Sequence, residues 1–355
     1  MVVALNPLRA YMAVTAAYWA FMLSDGALRM LVLLHFNSLG FSPVQLAWLF
    51  LLYELAGIIT NLGAGWLAAR FGLAATLYGG LALQIGALVA LAQLDPGWSI
   101  AASVAFVMAV QGVSGVAKDL AKMSSKSAVK LLAPKEDGGL FRWVALLTGS
   151  KNAVKGLGFF LGAALLALAG FQAAIWGMAA VLAVILVAVV LFLPAGLPGR
   201  MKSEEAWGGW RSKDPRVNRL SLARMFLFGA REVWFVVGIP VYFQAVLSDG
   251  TSEGRREAFF LIGSFLALWI IAYGAVQAVA PRLLGAKGQP EAETTRKAIL
   301  WAGLLVPIPF LLAGAAWAAG EPAPWLTATL IAGLLLFGFV FAVNSSVHSY
   351  LILAF

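Results

Sequence analysis

Apolar runs long enough to cross a bilayer recur along this chain and constrain its fold more than any other feature. Residues 171–193, FQAAIWGMAAVLAVILVAVVLFL, hold no ionisable side chain, and about 20 such residues span the hydrocarbon of a membrane as a helix. Lipid offers no partner to a bare backbone N–H or C=O, so repeated runs of this kind form helices rather than open strands. Apolar residues make up 62% of the sequence and charged ones 12%, against roughly 45–50% and about 25% in soluble domains. A soluble protein of 355 residues needs much more polar cover. The composition therefore describes an all-α polytopic membrane protein.

Several function classes fall away at once. There are no cysteines, which removes disulfides, thiolate metal sites and cysteine nucleophiles. Two histidines, His35 and His348, are too few for a metal cluster, and no cofactor is expected. The net charge of +9 invites a nucleic-acid reading, but the basic residues sit in short loops between spans, where topology explains them. The first apolar run is of full spanning length, contains Asp25 and Arg29, and lacks a small-residue cleavage site, so it reads as a span rather than a signal peptide.

Hydropathy and turn chemistry place ten spans near 10–36, 43–69, 73–94, 98–118, 141–168, 171–193, 220–247, 258–281, 297–318 and 324–352. With a cytoplasmic N-terminus, 18 of the 25 basic residues face the cytoplasm and only Arg255 and Arg256 lie in an outer loop, as the positive-inside rule requires. The two halves echo each other. SDGALRMLVLLHF in the first span resembles LFGAREVWFVVGI in the seventh, with Gly26-Ala27 on Gly229-Ala230 and Arg29 on Glu232. Six spans (1–193), a basic linker (194–219) and a second helical set (220–355) predict a two-bundle transporter with a midplane site. Such a plan has twelve spans, so the chain is expected to lack its last two or to have them encoded elsewhere, with a genuine ten-helix protein as the alternative.

Charges inside the spans are the candidate site. Asp25, Arg29, Glu54, Lys151, Lys155, Arg231 and Glu232 all fall there. A charge at the bilayer centre costs roughly 2.5–3.5 kcal/mol, so seven isolated ones would cost on the order of 20 kcal/mol. They must face a cavity, one another or a ligand. Asp25 and Arg29 share a helix face at i, i+4 and form a candidate pair. Lys151 and Lys155 repeat that spacing without a neighbouring acid, and Lys155 lies about 20 Å beyond Arg142 along the helix, near mid-bilayer. Either Glu54 neutralises Lys155 or the two lysines hold an anionic substrate; the second reading is preferred. Glu232 is expected to meet Arg29, which leaves Arg231 for substrate.

Residues 116–135, VAKDLAKMSSKSAVKLLAPK, put Lys118, Lys122, Lys126 and Lys130 on one face of a helix, with Leu120, Ser124, Ala128 and Leu131 opposite. This predicts a cytoplasmic amphipathic extension in the headgroup region whose lysines anchor topology. Lys118, nearest the membrane, is the member placed to reach a cavity mouth. Gly156, Gly158 and Gly162 have the spacing of a close helix crossing.

Residues 63–73, GAGWLAARFGL, resemble the loop between spans two and three of the major facilitator superfamily, usually Gly-x-Leu-Ala-Asp-Arg-x-Gly-Arg. Gly65, Leu67, Ala68, Arg70 and Gly72 match, whereas Ala69 and Leu73 replace the usual acid and second arginine. The resemblance implies a gating loop built on Gly65, Arg70 and Gly72. YWAFMLSDGALRMLVLLHF, GVAKDLAKMSSKSAVKLLAP, FRWVALLTGSKNAVKGLGFFLG and RMFLFGAREVWFVVGIPVY resemble the organoarsenical efflux permeases of arsenic-resistance operons. That family is understood to expel 1-arseno-3-phosphoglycerate, which a glyceraldehyde-3-phosphate dehydrogenase makes from arsenate. The resemblance implies arsenate resistance, a bacterial inner-membrane location and an anionic cargo. Arg29, Lys118, Lys151, Lys155 and Arg231 are the candidate substrate contacts, with Asp25, Glu54 and Glu232 as candidates for proton coupling. An exporter of other organophosphates or sugar acids, and a receptor or scaffold without transport, are the alternatives. An enzyme is not expected, because the sequence offers no nucleophile–base or metal constellation.

Overall fold

The computed structural model describes residues 7–132, 139–193, 214–283, 291–321 and 323–354. Helices fill these segments in the order α1 (Pro7–Ser38), α2 (Pro43–Leu49), α3 (Leu51–Phe71), α4 (Leu73–Leu91), α5 (Ile100–Leu132) and α6 (Gly139–Phe192). They continue with α7 (Pro215–Glu232), a π-helical turn (Val233–Gly238), α8 (Ile239–Leu247), α9 (Ser252–Leu283), α10 (Glu291–Leu305), α11 (Pro307–Ala319) and α12 (Pro324–Ala354). Eight stretches among the described residues are long and apolar enough to cross a membrane. One of them is double length: Gly170, at φ 78° and ψ 175°, folds α6 into two limbs. That backbone region is essentially reserved for glycine. The α7–π–α8 column supplies one more crossing, so the ten expected spans all have helical counterparts.

Local chemistry explains the interruptions that the ten-span reading did not contain. Span two divides into α2 and α3 at Phe50. Ser42 and Gln45 close a capping box at the start of α2, with Pro43 in its first turn. Span nine divides where Pro307 follows Val306, since proline supplies no N–H to the preceding turn. The π turn lies just upstream of Pro240, whose missing N–H frees the carbonyl four residues back and lets the ladder widen. Between α3 and α4 the chain reverses through Gly72, at φ 86°, as the RFGL signal predicts.

Backbone proximity groups the chain into two compact units, Met1–Trp210 with Glu232–Ala267, and Arg211–Arg231 with Leu268–Phe355. In the first unit α1 is covered on every side over residues 24–34: Leu31, Val32, Leu33 and Leu34 are consecutive and each 0% exposed. A helix buried all round must turn its polar residues onto protein. Its closest neighbour is the first limb of α6, where Gly26 faces the Lys155 carbonyl and Gly158, and Gly162 faces the Ala27 backbone. A Cβ on Gly158 would stand 3.1 Å from the Gly26 Cα, so the small-residue spacing in α6 does serve a close crossing.

The same unit corrects the reading of the lysine row. The segment after Lys118 continues α5 and packs on protein rather than resting in headgroups. Ala128 is fully buried, and the Ser124 hydroxyl donates to the Leu73 carbonyl at 2.5 Å. The small residues opposite the lysines fit against α4, whereas a lipid-facing helix would need larger apolar ones there. The side chains of Lys126 and Lys130 lie outside the described residues, as do residues 194–213 of the expected linker.

In the second unit Leu220, Ala298, Val347 and Leu351 form a buried cluster joining α7, α10 and α12. Trp269 stacks on Tyr273 with ring centres 5.7 Å apart and donates its indole N–H to the Leu334 carbonyl at 3.0 Å. Large apolar side chains such as Phe192, Phe310 and Trp317 point outward and are mostly exposed, as lipid-facing residues are.

Candidate functional site

Tyr53 is the hub of the polar centre in the first unit. α3 lies against α5 at two glycines: a Cβ on Gly115 would meet the Tyr53 backbone, and one on Gly57 would come within 2.8 Å of an Asp119 carboxylate oxygen. This close contact carries Tyr53 toward α1. Its hydroxyl donates to Asp25 Oδ1 at 2.6 Å. Its ring takes the Arg29 guanidinium at 4.5 Å and the Lys118 ammonium at 4.0 Å, both within cation–π range. Arg29 also pairs with Glu54 Oε1 at 2.5 Å.

The expected partnerships are thereby rearranged. Arg29 takes Glu54 rather than serving Asp25 alone, and Asp25 takes the Tyr53 hydroxyl. The i, i+4 rule places Asp25 and Arg29 on one face, but α3 brings both partners to that face at once. Glu54, considered for Lys155, pairs with Arg29. The Glu232 side chain, expected to meet Arg29, lies outside the described residues. Burial differs sharply within the group: Asp25 and Arg29 are 2% and 4% exposed, while the Glu54 side chain is 47% exposed. The centre therefore opens on the Glu54 side.

Asp119 belongs to this centre and was not singled out by the sequence. It is 1% exposed, its Oδ1 accepts from the Lys122 ammonium at 2.8 Å, and its Oδ2 has no hydrogen-bond partner among the described residues. The signal was present as an acid three residues before Lys122, masked by a row read for its lysines. The glycine crossing brings the Lys155 backbone to Gly26, one residue beyond Asp25. The Lys155 ammonium lies 5.6 Å from the Phe159 ring. Lys151 stands one turn earlier, next to Ser150, whose hydroxyl accepts from the Trp19 indole at 3.0 Å. Both lysines are half-buried.

Arg231 belongs to the second unit, where its guanidinium lies 5.4, 5.9 and 5.5 Å from the rings of Phe228, Tyr273 and Phe341. Beside this aromatic cage Gln277 donates to the Tyr273 hydroxyl and to Ser345 Oγ, each at 2.7 Å. Gly65 sits within α3, Gly72 makes the turn that follows, and exposed Arg70 lies 5.9 Å from the Phe71 ring. His35 stacks on Phe171 at 3.9 Å, a packing role. No cluster of metal-ligating side chains occurs among the described residues.

Several solved structures similar to this chain are transporters. A mutant of the nucleoside transporter NupG is similar with a TM-score of 0.66 at 15% identity, over 97% of this chain and 82% of its own. A mutant peptide transporter POT in complex with sulfate gives 0.62 at 17% identity, over 96% and 80%. A POT family transporter in complex with 5-aminolevulinic acid gives 0.63 at 16%, over 96% and 88%. No curated protein matches the chain by sequence. At these identities the likeness is one of fold. Residues 14–353 match the Major Facilitator Superfamily model, and the chain belongs to that superfamily.

Proposed function

We propose that the protein exports a small organic polyanion across a bacterial inner membrane by alternating access, with its N-terminus cytoplasmic, and that its cargo is 1-arseno-3-phosphoglycerate. One observation supports the cargo class: cations exceed carboxylates inside the spans. In the first unit Arg29, Lys118, Lys122, Lys151 and Lys155 outnumber Asp25, Glu54, Asp119 and Glu232. In the second unit Arg224 and Arg231 are within α7, while Asp214, Glu291, Glu293 and Glu321 all stand at or beyond helix ends. A surplus of positive charge in a low-dielectric interior is costly unless an anion joins it. Phosphate and carboxylate groups form their strongest hydrogen bonds with such cations.

The arsenical itself rests on the four stretches of sequence resemblance. A chain without cysteine suits oxygen-rich pentavalent arsenic, which needs no thiol. Proton antiport is the proposed drive, with Asp25, Glu54 or Glu232 exchanging the proton, and the segment carrying Gly65, Arg70 and Gly72 acts in gating. The partner in metabolism is the dehydrogenase that makes the ester.

The test uses everted membrane vesicles containing the protein, supplied with arsenate, glyceraldehyde 3-phosphate, the dehydrogenase and its nicotinamide cofactor. Arsenic is expected to accumulate only when all four are present. Accumulation without the dehydrogenase would overturn the ester as cargo. Stronger uptake of 3-phosphoglycerate or a sugar acid in parallel vesicles would assign the protein to the wider organophosphate class. No flux of any anion would favour a receptor or scaffold.

A further inference from the structure

The second unit holds a buried polar row on α12 that the preceding reading leaves unused. Asn344 is 0% exposed, and neither its amide oxygen nor its amide nitrogen has a hydrogen-bond partner among the described residues. His348, one turn on and 6% exposed, has Nδ1 in the same condition. On α7 the Nη1 of Arg224 is buried and likewise without a hydrogen bond among those residues. Buried polar atoms in native proteins are paired in the great majority of cases, so several in one place call for an explanation.

The two helices bring these groups together. Leu220 of α7 lies in one cluster with Val347 and Leu351 of α12, and two turns further along Phe228 meets Phe341 edge-on at 5.3 Å. α7 therefore runs antiparallel to α12, and Arg224, midway between Leu220 and Phe228, falls level with the stretch from Asn344 to His348. Arg224 itself lies 4.9 Å from the Phe228 ring. The neighbouring polar groups, Tyr273, Gln277 and Ser345, satisfy one another. Among the described residues the unmet capacity between α7 and α12 includes one guanidinium N–H, one carboxamide and one imidazole nitrogen.

From this juxtaposition we infer that Arg224, Asn344 and His348 form a ligand subsite for an oxyanion that carries a neighbouring hydroxyl. Arg224 donates to the anionic oxygen. The Asn344 amide donates to the hydroxyl oxygen and accepts its proton, a two-way match that a carboxylate or a fully ionised phosphate ester group cannot make. His348 Nδ1 completes the polar wall. The subsite rests on the proposed transport of a phosphorylated hydroxy acid and deepens it, because it reads the hydroxyl of that cargo.

The test measures displacement by 3-phosphoglycerate and by its deoxy counterpart 3-phosphonooxypropionate, on full-length protein in neutral detergent. Wild type is expected to prefer the hydroxylated probe by about tenfold, the worth of one buried polar match. Asn344→Ala should bind both probes equally, at the affinity wild type shows for the deoxy compound. Arg224→Gln should weaken both by about tenfold or more. Asn344→Leu is the folding control: with no protein partner lost, it should melt no lower than wild type and still lose the preference. Asn344 and Arg224 variants that bind like wild type, while Lys155→Gln loses both probes, overturn this subsite and leave the transport reading standing. A wild type that binds neither probe overturns the transport reading, and the subsite with it. Displacement by phosphatidylglycerol alone overturns the subsite in favour of a lipid headgroup.

Discussion

Replacing Tyr53 with phenylalanine removes one hydroxyl from the most buried part of the first unit and leaves the ring in place. The lost bond is the 2.6 Å contact to Asp25 Oδ1, a length typical of a hydroxyl donating to a charged oxygen. Asp25 is 2% exposed, so the vacated site is shielded from bulk water. A hydrogen bond to a charged group contributes about 1.5–3 kcal/mol net, and losing one in a buried site costs about that much. The Arg29 and Lys118 contacts with the ring and the Arg29–Glu54 pair survive. The substitution therefore isolates the hydroxyl. Unfolding in mixed micelles, followed by the fluorescence of the 13 tryptophans, should show Tyr53→Phe less stable by about 1.5–3 kcal/mol. In a double-mutant cycle Asp25→Asn should cancel most of that loss, because the charge the hydroxyl serves is gone. Additivity of the two substitutions within about 0.5 kcal/mol would refute the partnership.

Other consequences are simpler to read. Gly170→Ala forces an L side chain into a glycine-only region and should cost about 1–3 kcal/mol, measured by the same unfolding titration. Gly158→Leu drives a side chain into the Gly26 Cα, 3.1 Å from the position of its Cβ, and should abolish a monodisperse peak in detergent chromatography; a normal peak would contradict the crossing. Asp214, ahead of α7, accepts hydrogen bonds from the Arg216 side chain and backbone N–H, which hold its carboxyl below the usual carboxylate range. Its contribution to stability is present above the unfolded value near 3.9 and is lost as pH falls through the lowered folded value. Asp214→Asn should therefore differ from wild type at neutral pH and converge with it in strong acid, as read by melting across that range.

Hydropathy made the ten columns legible because each span announces itself through about 20 residues at once, and glycine marked the sharp turns at Gly72 and Gly170. Phe50, Val306 and the π turn escaped, since one capping box or one proline changes a few hydrogen bonds without altering the apolar run. Arg29, Glu54 and Lys155 stood out as charges in oil. Their partners did not, because which side chains meet across helices depends on helix rotation, and that is set by contacts such as Gly26 with Gly158. Asp119 is hidden in the sequence among lysines whose spacing predicts a surface row. Tyr53 and Asn344 carry no charge, so a search for stranded charges passes over them although each sits at the centre of a buried polar group.

The proposal of an anion drawn into a cationic interior is tested most directly by arsenic uptake in everted vesicles containing the double variant Lys151→Gln, Lys155→Gln, matched to wild type for inserted protein. Glutamine keeps length and hydrogen bonding but removes both charges, and the α1–α6 glycine crossing is untouched. Uptake is expected to fall to the level of vesicles without the protein. Uptake equal to wild type would contradict the claim that these lysines hold the cargo.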